Sequence, residues 1–473
     1  MGGLPLMSNP HLFSLSELSR DYIARGSHPI GFDFRGIAKL LSEESDSGRL
    51  IFSNHVHKYP GRLLPHIPLA LLGADEWAEF RGTVLDPFAG TGTVLLASVI
   101  HPTIPRNAAG IELNPIGRLI TKVRLSPPDF SRFEETLALL HKGYTHADYH
   151  EGRVQEWDYL KFWFSFHARE KLAKLRVAIE NTRTNDEMKD YLWLCFSSIV
   201  RACSMADPYI PPPVKINLEN FDRISWKYLK LEQTLLDSEN PTVWPLFMSK
   251  GRSLRPSLES IREAIEVAGT NGKIVSRDAS VMKEGRIQPA GEFETGASRF
   301  PAKSVDLIVT SPPYLTAQKY FRSTKLELLW LGHSLCEVQS LDKECIGSER
   351  VSVEGEFQEL GVPSIDLLVK TVKRKSRVRA AMVQNYFSRM HDALEEMHRV
   401  LKEGGYAVLI LGDNRVAGKR VETYRLITKL ATAGGFEEVV TLKDRIRSRS
   451  MMTRRNKTGG LVKDEFVVVL RRP

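Results

Sequence analysis

The sequence predicts an α/β protein: a doubly wound, mostly parallel, Rossmann-like sheet with a largely helical insertion. Three observations carry this. β-prone runs alternate with helical stretches between Thr83 and Val123, and the alternation returns after Lys273. Between them, from about Pro127 to Val267, the spacing is mainly helical. The division implied is 1–126, the N-terminal part of the α/β domain with a glycine-rich loop. Residues 127–268 form the helical insertion, a candidate for target recognition, and 269–473 the C-terminal part.

The elements follow in chain order. The first fifty residues show no single period. Arg62 to Leu72 is a short helix interrupted by Pro65 and Pro68. Thr83-Val84-Leu85 is a strand ending at Asp86-Pro87, followed by the turn Phe88-Ala89-Gly90-Thr91-Gly92-Thr93 and a helix from Val94 to Ile100. Asn107 to Ile111 is a second strand with Glu112 at its carboxyl end, and Ile116 to Val123 resumes helical spacing. Leu172 to Ile179, Tyr191 to Ile199 and Ile261 to Val267 are helices of the insertion, broken by the loop Asp207 to Pro213. Lys273-Ile274-Val275 leads to Asp278, and Val305 to Val309 runs into Thr310-Ser311-Pro312-Pro313-Tyr314. Met390 to Leu401 is an amphipathic helix stopped by Gly404-Gly405, and Tyr406 to Leu411 is a buried strand. Tyr424 to Ala433 is a helix, and two strands close the chain, Glu437 to Leu442 and Glu465 to Leu470.

Bulk properties narrow the function. A hydrophobic share of 42% and a charged share of 26% over 473 residues are those of a globular protein. There is no run of about 18 apolar residues for a membrane span, and the N-terminus has no secretory pattern. The four cysteines form no CxxC pair, so neither a metal site nor a disulfide framework is expected, and a cytoplasmic setting is. A net charge of +9 favours a polyanionic partner.

Three motifs carry chemistry. Glycines directly after a strand let the backbone approach a ligand at a helix N-terminus. The Asp86 to Thr93 loop lacks the lysine of a phosphate-binding loop, and Leu95 replaces the third glycine of a dinucleotide fingerprint. An adenosyl-ligand site remains, beside the plain alternative of a tight turn. Glu112 follows at the offset from which an acidic side chain accepts ribose hydroxyls. The Ser-Pro-Pro-Tyr turn is stiff and sits at a strand's carboxyl end, where α/β sheets bind ligands. Hydrogen bonds from a base amino group to the Ser311 hydroxyl and the Pro312 carbonyl would orient its poorly nucleophilic nitrogen. Tyr314 would stack on a flipped base.

Together these motifs resemble the amino-methylating DNA methyltransferases, the N4-cytosine and N6-adenine group, over roughly Asn54 to Arg124 and Lys273 to the C-terminus. The resemblance implies a methyltransferase sheet, S-adenosyl-L-methionine as cofactor and double-stranded DNA as partner in a bacterial or archaeal cell. It leaves open a cognate restriction enzyme and the oligomeric state. Asp86, Phe88, Ala89, Gly90, Thr91, Gly92 and Thr93 are similar to the family's cofactor loop. The form of Ser311, Pro312, Pro313 and Tyr314 is the one associated with cytosine N4. The segment His57 to Arg62, with Tyr59, resembles the element closing over the methionine end of the cofactor, and Asp278 falls at the adenine contact. Basic runs at Val369 to Ala380 and Lys443 to Lys457 are solvated faces or phosphate contacts. Alternatives are an N6-adenine enzyme, an RNA amino-methyltransferase, a non-catalytic nucleic-acid-binding module with a vestigial cofactor site, and a nicotinamide oxidoreductase.

Overall fold

The computed structural model describes residues 13–43, 56–148, 154–279, 300–315, 319–353, 357–446 and 464–473. Its strands are β1 (Ile30–Gly31), β2 (Val84–Asp86), β3 (Ala108–Ile111), β4 (Gly272–Ser276), β5 (Val305–Thr310), β6 (Leu401–Gly412), β7 (Asn414–Val416), β8 (Lys419–Val421), β9 (Glu437–Arg445) and β10 (Asp464–Arg471). Apart from the β7–β8 hairpin they form one sheet in the order β1-β9-β10-β6-β5-β2-β3-β4. Strand β10 is antiparallel to both neighbours; the other pairings in the sheet are parallel. The mostly parallel α/β sheet is therefore as the sequence predicts.

Both faces of the sheet are covered, which is why its central strands read as unbroken apolar runs. Ile308, Leu409, Leu411, Phe466 and Val468 face one core with the helix Arg377–Val400. Leu307, Val309, Val408, Ile410 and Val467 alternate to the other, beneath the helix His66–Leu71. From 127 to 268 the described elements are helical apart from an isolated bridge between Ala206 and Lys215. Those helices share one continuous core with the sheet's own helices Thr93–Val99 and Pro115–Leu125. Serine and asparagine caps start several of them: Ser165 caps Phe166–Asn181 and Asn185 caps Asp186–Val200.

Some local expectations change. The first fifty residues contain two helices, Leu15–Ala24 and Phe34–Glu43, with the edge strand β1 between them. The helix expected at Met390 to Leu401 starts earlier, at Arg377, and ends at Val400. Gly404 and Gly405 do not stop it; they lie inside β6. A Cβ on Gly405 would stand 2.9 Å from the Lys402 carbonyl and 3.0 Å from that of Asp306, so glycine there permits a close strand approach. Of the Lys443 to Lys457 run, positions 447–457 lie outside the described residues. No described helix is long and apolar enough to cross a membrane.

Candidate active site

The chain lays down β2, β3 and β4 in one direction, then returns to place β5 and β6 on the other side of β2. The carboxyl ends of β2 and β5 therefore flank the switch point, the crevice in which such sheets bind ligands. A buried bond joins them: Thr310, the last residue of β5, donates its hydroxyl to Asp86 Oδ1 at 2.5 Å. The same oxygen accepts the Phe88 amide at 3.0 Å. Burial pushes the Asp86 carboxyl up to about 7, against these two donors.

The glycine loop is tied down by its neighbours. Glu112 Oε2 accepts the Gly90 amide and Oε1 the Asn114 amide, both at 2.7 Å. Thr121 donates to the Gly90 carbonyl at 3.1 Å, and buried Arg124 to that of Thr91 at 2.7 Å. Gly92 has φ +73°, and a Cβ there would be 2.7 Å from Thr121 Cγ2. The following helix also approaches closely: a Cβ on Gly117 would be 2.8 Å from the Gly90 carbonyl. Burial raises the Glu112 carboxyl to about 7, although two backbone amides favour its anion.

These loops open onto a cleft of about 660 Å³, a volume that includes the open solvent at its mouth. Tyr59, Phe88, Gly90, Glu112, Asp278, Ser311 and Pro313 line it, so it gathers residues from all three sequence motifs. Asp86, Ala89, Thr91, Gly92, Thr93, Pro312 and Tyr314 do not line it. Asp86, Ala89, Thr91, Thr93 and Pro312 are buried behind the wall, where the first four shape the turn. Sequence reasoning missed Arg277, Tyr320 and Cys345 in the lining. Arg277 adjoins Asp278 and was within reach of the same reasoning. Tyr320 and Cys345 have no motif of their own, and only the fold brings them in; Tyr320 faces Tyr59 with ring centroids 6.3 Å apart.

The Ser-Pro-Pro-Tyr turn is held from the far side. The Ser311 hydroxyl donates to the Ile410 carbonyl of β6 at 3.2 Å. The Asn414 side-chain amide donates to the Leu315 carbonyl just past the turn. Tyr314 donates its hydroxyl to Glu465 Oε1 of β10 at 3.1 Å. Burial and the Glu465 carboxyl together raise the Tyr314 phenol well above its ordinary value. The lone pairs of the Ser311 oxygen can also accept hydrogen bonds.

Residues 305–469, from β5 into β10, match the N6/N4 methyltransferase family model described as DNA methylase. Similarity to individual proteins extends beyond that segment. The chain is 21% identical over 430 residues to the type II methyltransferase M.MvaI of Kocuria varians, covering 86% of this chain and 87% of that one. It is 24% identical over 409 residues to the type II methyltransferase M.AvaI of Nostoc sp., covering 76% and 74%. The M.AvaI of Anabaena variabilis matches to the same extent.

Proposed function

We propose that this protein is an S-adenosylmethionine-dependent DNA methyltransferase acting on the exocyclic amino group of a flipped base, cytosine N4 in preference to adenine N6. The observation that carries the reading is that Ser311 and Glu112 face one cavity. The match of residues 305–469 to a family model described as DNA methylase supports DNA as the polymer.

The cavity residues fit the cofactor. A carboxylate offers about four lone-pair sites. Backbone amides take one on each oxygen of Glu112, and the remaining sites, one of them within reach of the Tyr59 hydroxyl, would receive the ribose hydroxyls. Tyr59, Phe88, Gly90, Glu112 and Asp278 would hold the cofactor, and the Phe88 ring suits a nearby cation. When bound, S-adenosylmethionine supplies an electrophilic methyl group.

The remaining work belongs to the chain. The Ser311 hydroxyl, which faces the cavity, accepts one amino proton of the base; the Pro312 carbonyl, outside the cavity lining, would accept the other once the base seats against the turn. This aims the nitrogen lone pair across the cavity. Tyr314, beside the cavity, supplies the stacking face. The surplus proton leaves to solvent, so positioning accounts for most of the rate. The preference for cytosine rests on the Ser-Pro-Pro-Tyr form of the turn.

Incubation with methyl-labelled cofactor and either DNA or RNA tests this. Label is expected in DNA. Label entering RNA alone would overturn the choice of polymer. Cofactor binding with no transfer to either polymer would favour the non-catalytic module.

A further inference from the structure

Strand β10 is apolar from Phe466 to Leu470, yet its second residue is a glutamate. Glu465 is only 8% exposed and lies opposite Gly412 of β6 and Asp444 of β9. A buried carboxyl is costly unless it is hydrogen-bonded. Among the described residues, the hydrogen bond that satisfies it comes from the Tyr314 hydroxyl, while its second oxygen, Oε2, is buried without a partner. Arg35 and Asp444 also act on it electrostatically. Asp444 in turn is bonded by His66 at 3.2 Å. Packing alone would be served better by an apolar residue here. The carboxyl therefore points to a role for its bond.

We propose that Glu465 is a positioning residue for methyl transfer, holding the Tyr314 hydroxyl and so fixing the plane of the ring that meets the target base. This rests on the reading of Tyr314 given above. A phenolic O–H prefers the plane of its ring, so an acceptor at a fixed place restrains rotation about the Cβ–ring bond. The turn supplies one end of the restraint and β10 the other. Stacking on a base extruded from its helix needs such a preset plane, because a freely turning ring would have to be ordered at each encounter. Glu465 touches neither base nor cofactor in this scheme and acts through Tyr314.

A double-mutant cycle on the full chain, with DNA and cofactor saturating, tests the role. Glu465→Leu should lower kcat about tenfold, the loss of one positioning hydrogen bond, with the cofactor KM unchanged. Glu465→Gln, whose amide oxygen still accepts, should restore most of that rate. Tyr314→Phe should show the same loss, and the combination of Glu465→Leu with Tyr314→Phe should be no worse than either alone. Two independent penalties that multiply would overturn the proposal, as would a Glu465→Leu protein of unchanged kcat. Should Glu465→Leu fail to fold, Tyr314→Phe decides: an undiminished kcat overturns the proposal. Absence of DNA methylation by the unaltered chain would instead overturn the underlying function. Methylation with an additive pair would remove only the role of Glu465.

Discussion

The two loops that meet at the switch point are built in opposite ways. The glycine loop after β2 is fastened by residues close in sequence: Glu112 reaches Gly90 across 22 positions, Thr121 across 31, and Arg124 reaches Thr91 across 33. The turn after β5 is fastened from afar. Ser311 bonds Ile410 across 99 positions, and Tyr314 bonds Glu465 across 151. The first loop is fastened mainly within one βαβ unit, with a long-range tie from Thr310 to Asp86 across 224 positions. The second is complete only when β6 and β10 have docked. A binding site assembled this way separates a cofactor loop held mainly by local bonds from a base-presenting turn held from the far end of the chain.

Substitutions should break the two halves separately. The largest effect is expected from Glu112→Ala, which removes the acceptor of two ribose hydroxyls and leaves the Gly90 amide without its partner. Cofactor affinity measured by calorimetry should fall about a thousandfold, as for two hydrogen bonds to a charged group. Ser311→Ala should instead lower turnover about a hundredfold, the scale of a misplaced reacting group. Its cofactor affinity should remain within about twofold of the unaltered protein. Loss of cofactor binding in Ser311→Ala would erase the distinction between the loops.

A pH series sharpens the comparison further. The Glu112 carboxyl is raised to about 7, so below that pH the free protein carries it protonated. Accepting from two hydroxyls favours the anion, and a proton must then be lost on binding. Cofactor affinity should therefore weaken as pH falls below about 7, by up to about tenfold per unit, and level off above it. Asp86 titrates in the same range, so Glu112→Gln is the control: it should bind weakly and with a flattened pH dependence. A slope that persists in Glu112→Gln would assign it elsewhere. The smallest effect is expected from Gly117→Ala, whose Cβ would press on the Gly90 carbonyl. It should destabilise the fold by about 1–3 kcal/mol, read as a lower thermal midpoint, and loosen cofactor binding without changing the turn after β5.

The same contrast governs what the sequence made legible. The Asp86 to Thr93 loop and Glu112 could be read together because strand, turn and helix follow one another with local spacing. Ser311 could be recognised because two prolines after a buried strand have few uses. Glu465 could not be singled out. It looks like the polar start of a strand, and its partner lies on a different segment of the chain. Tyr320 is similar: its place in the cavity follows from the fold, not from any period of its own. In the fold, the alternating elements were plain from their apolar runs. The start of the helix Arg377–Val400 was not, because its first two turns are rich in basic and small residues. The glycines inside β6 were misleading because glycine after a helix ordinarily signals its end, whereas here it permits backbone contact.

The most direct test is the chemical identity of the product. DNA treated with the unaltered protein and S-adenosylmethionine is digested to nucleosides and resolved by mass and retention, beside DNA treated with Ser311→Ala. N4-methylcytosine is predicted for the first and only a trace for the second. N6-methyladenine would keep the reaction and change the base. Methyl groups on a ring carbon, or no modified nucleoside at all, would contradict the account.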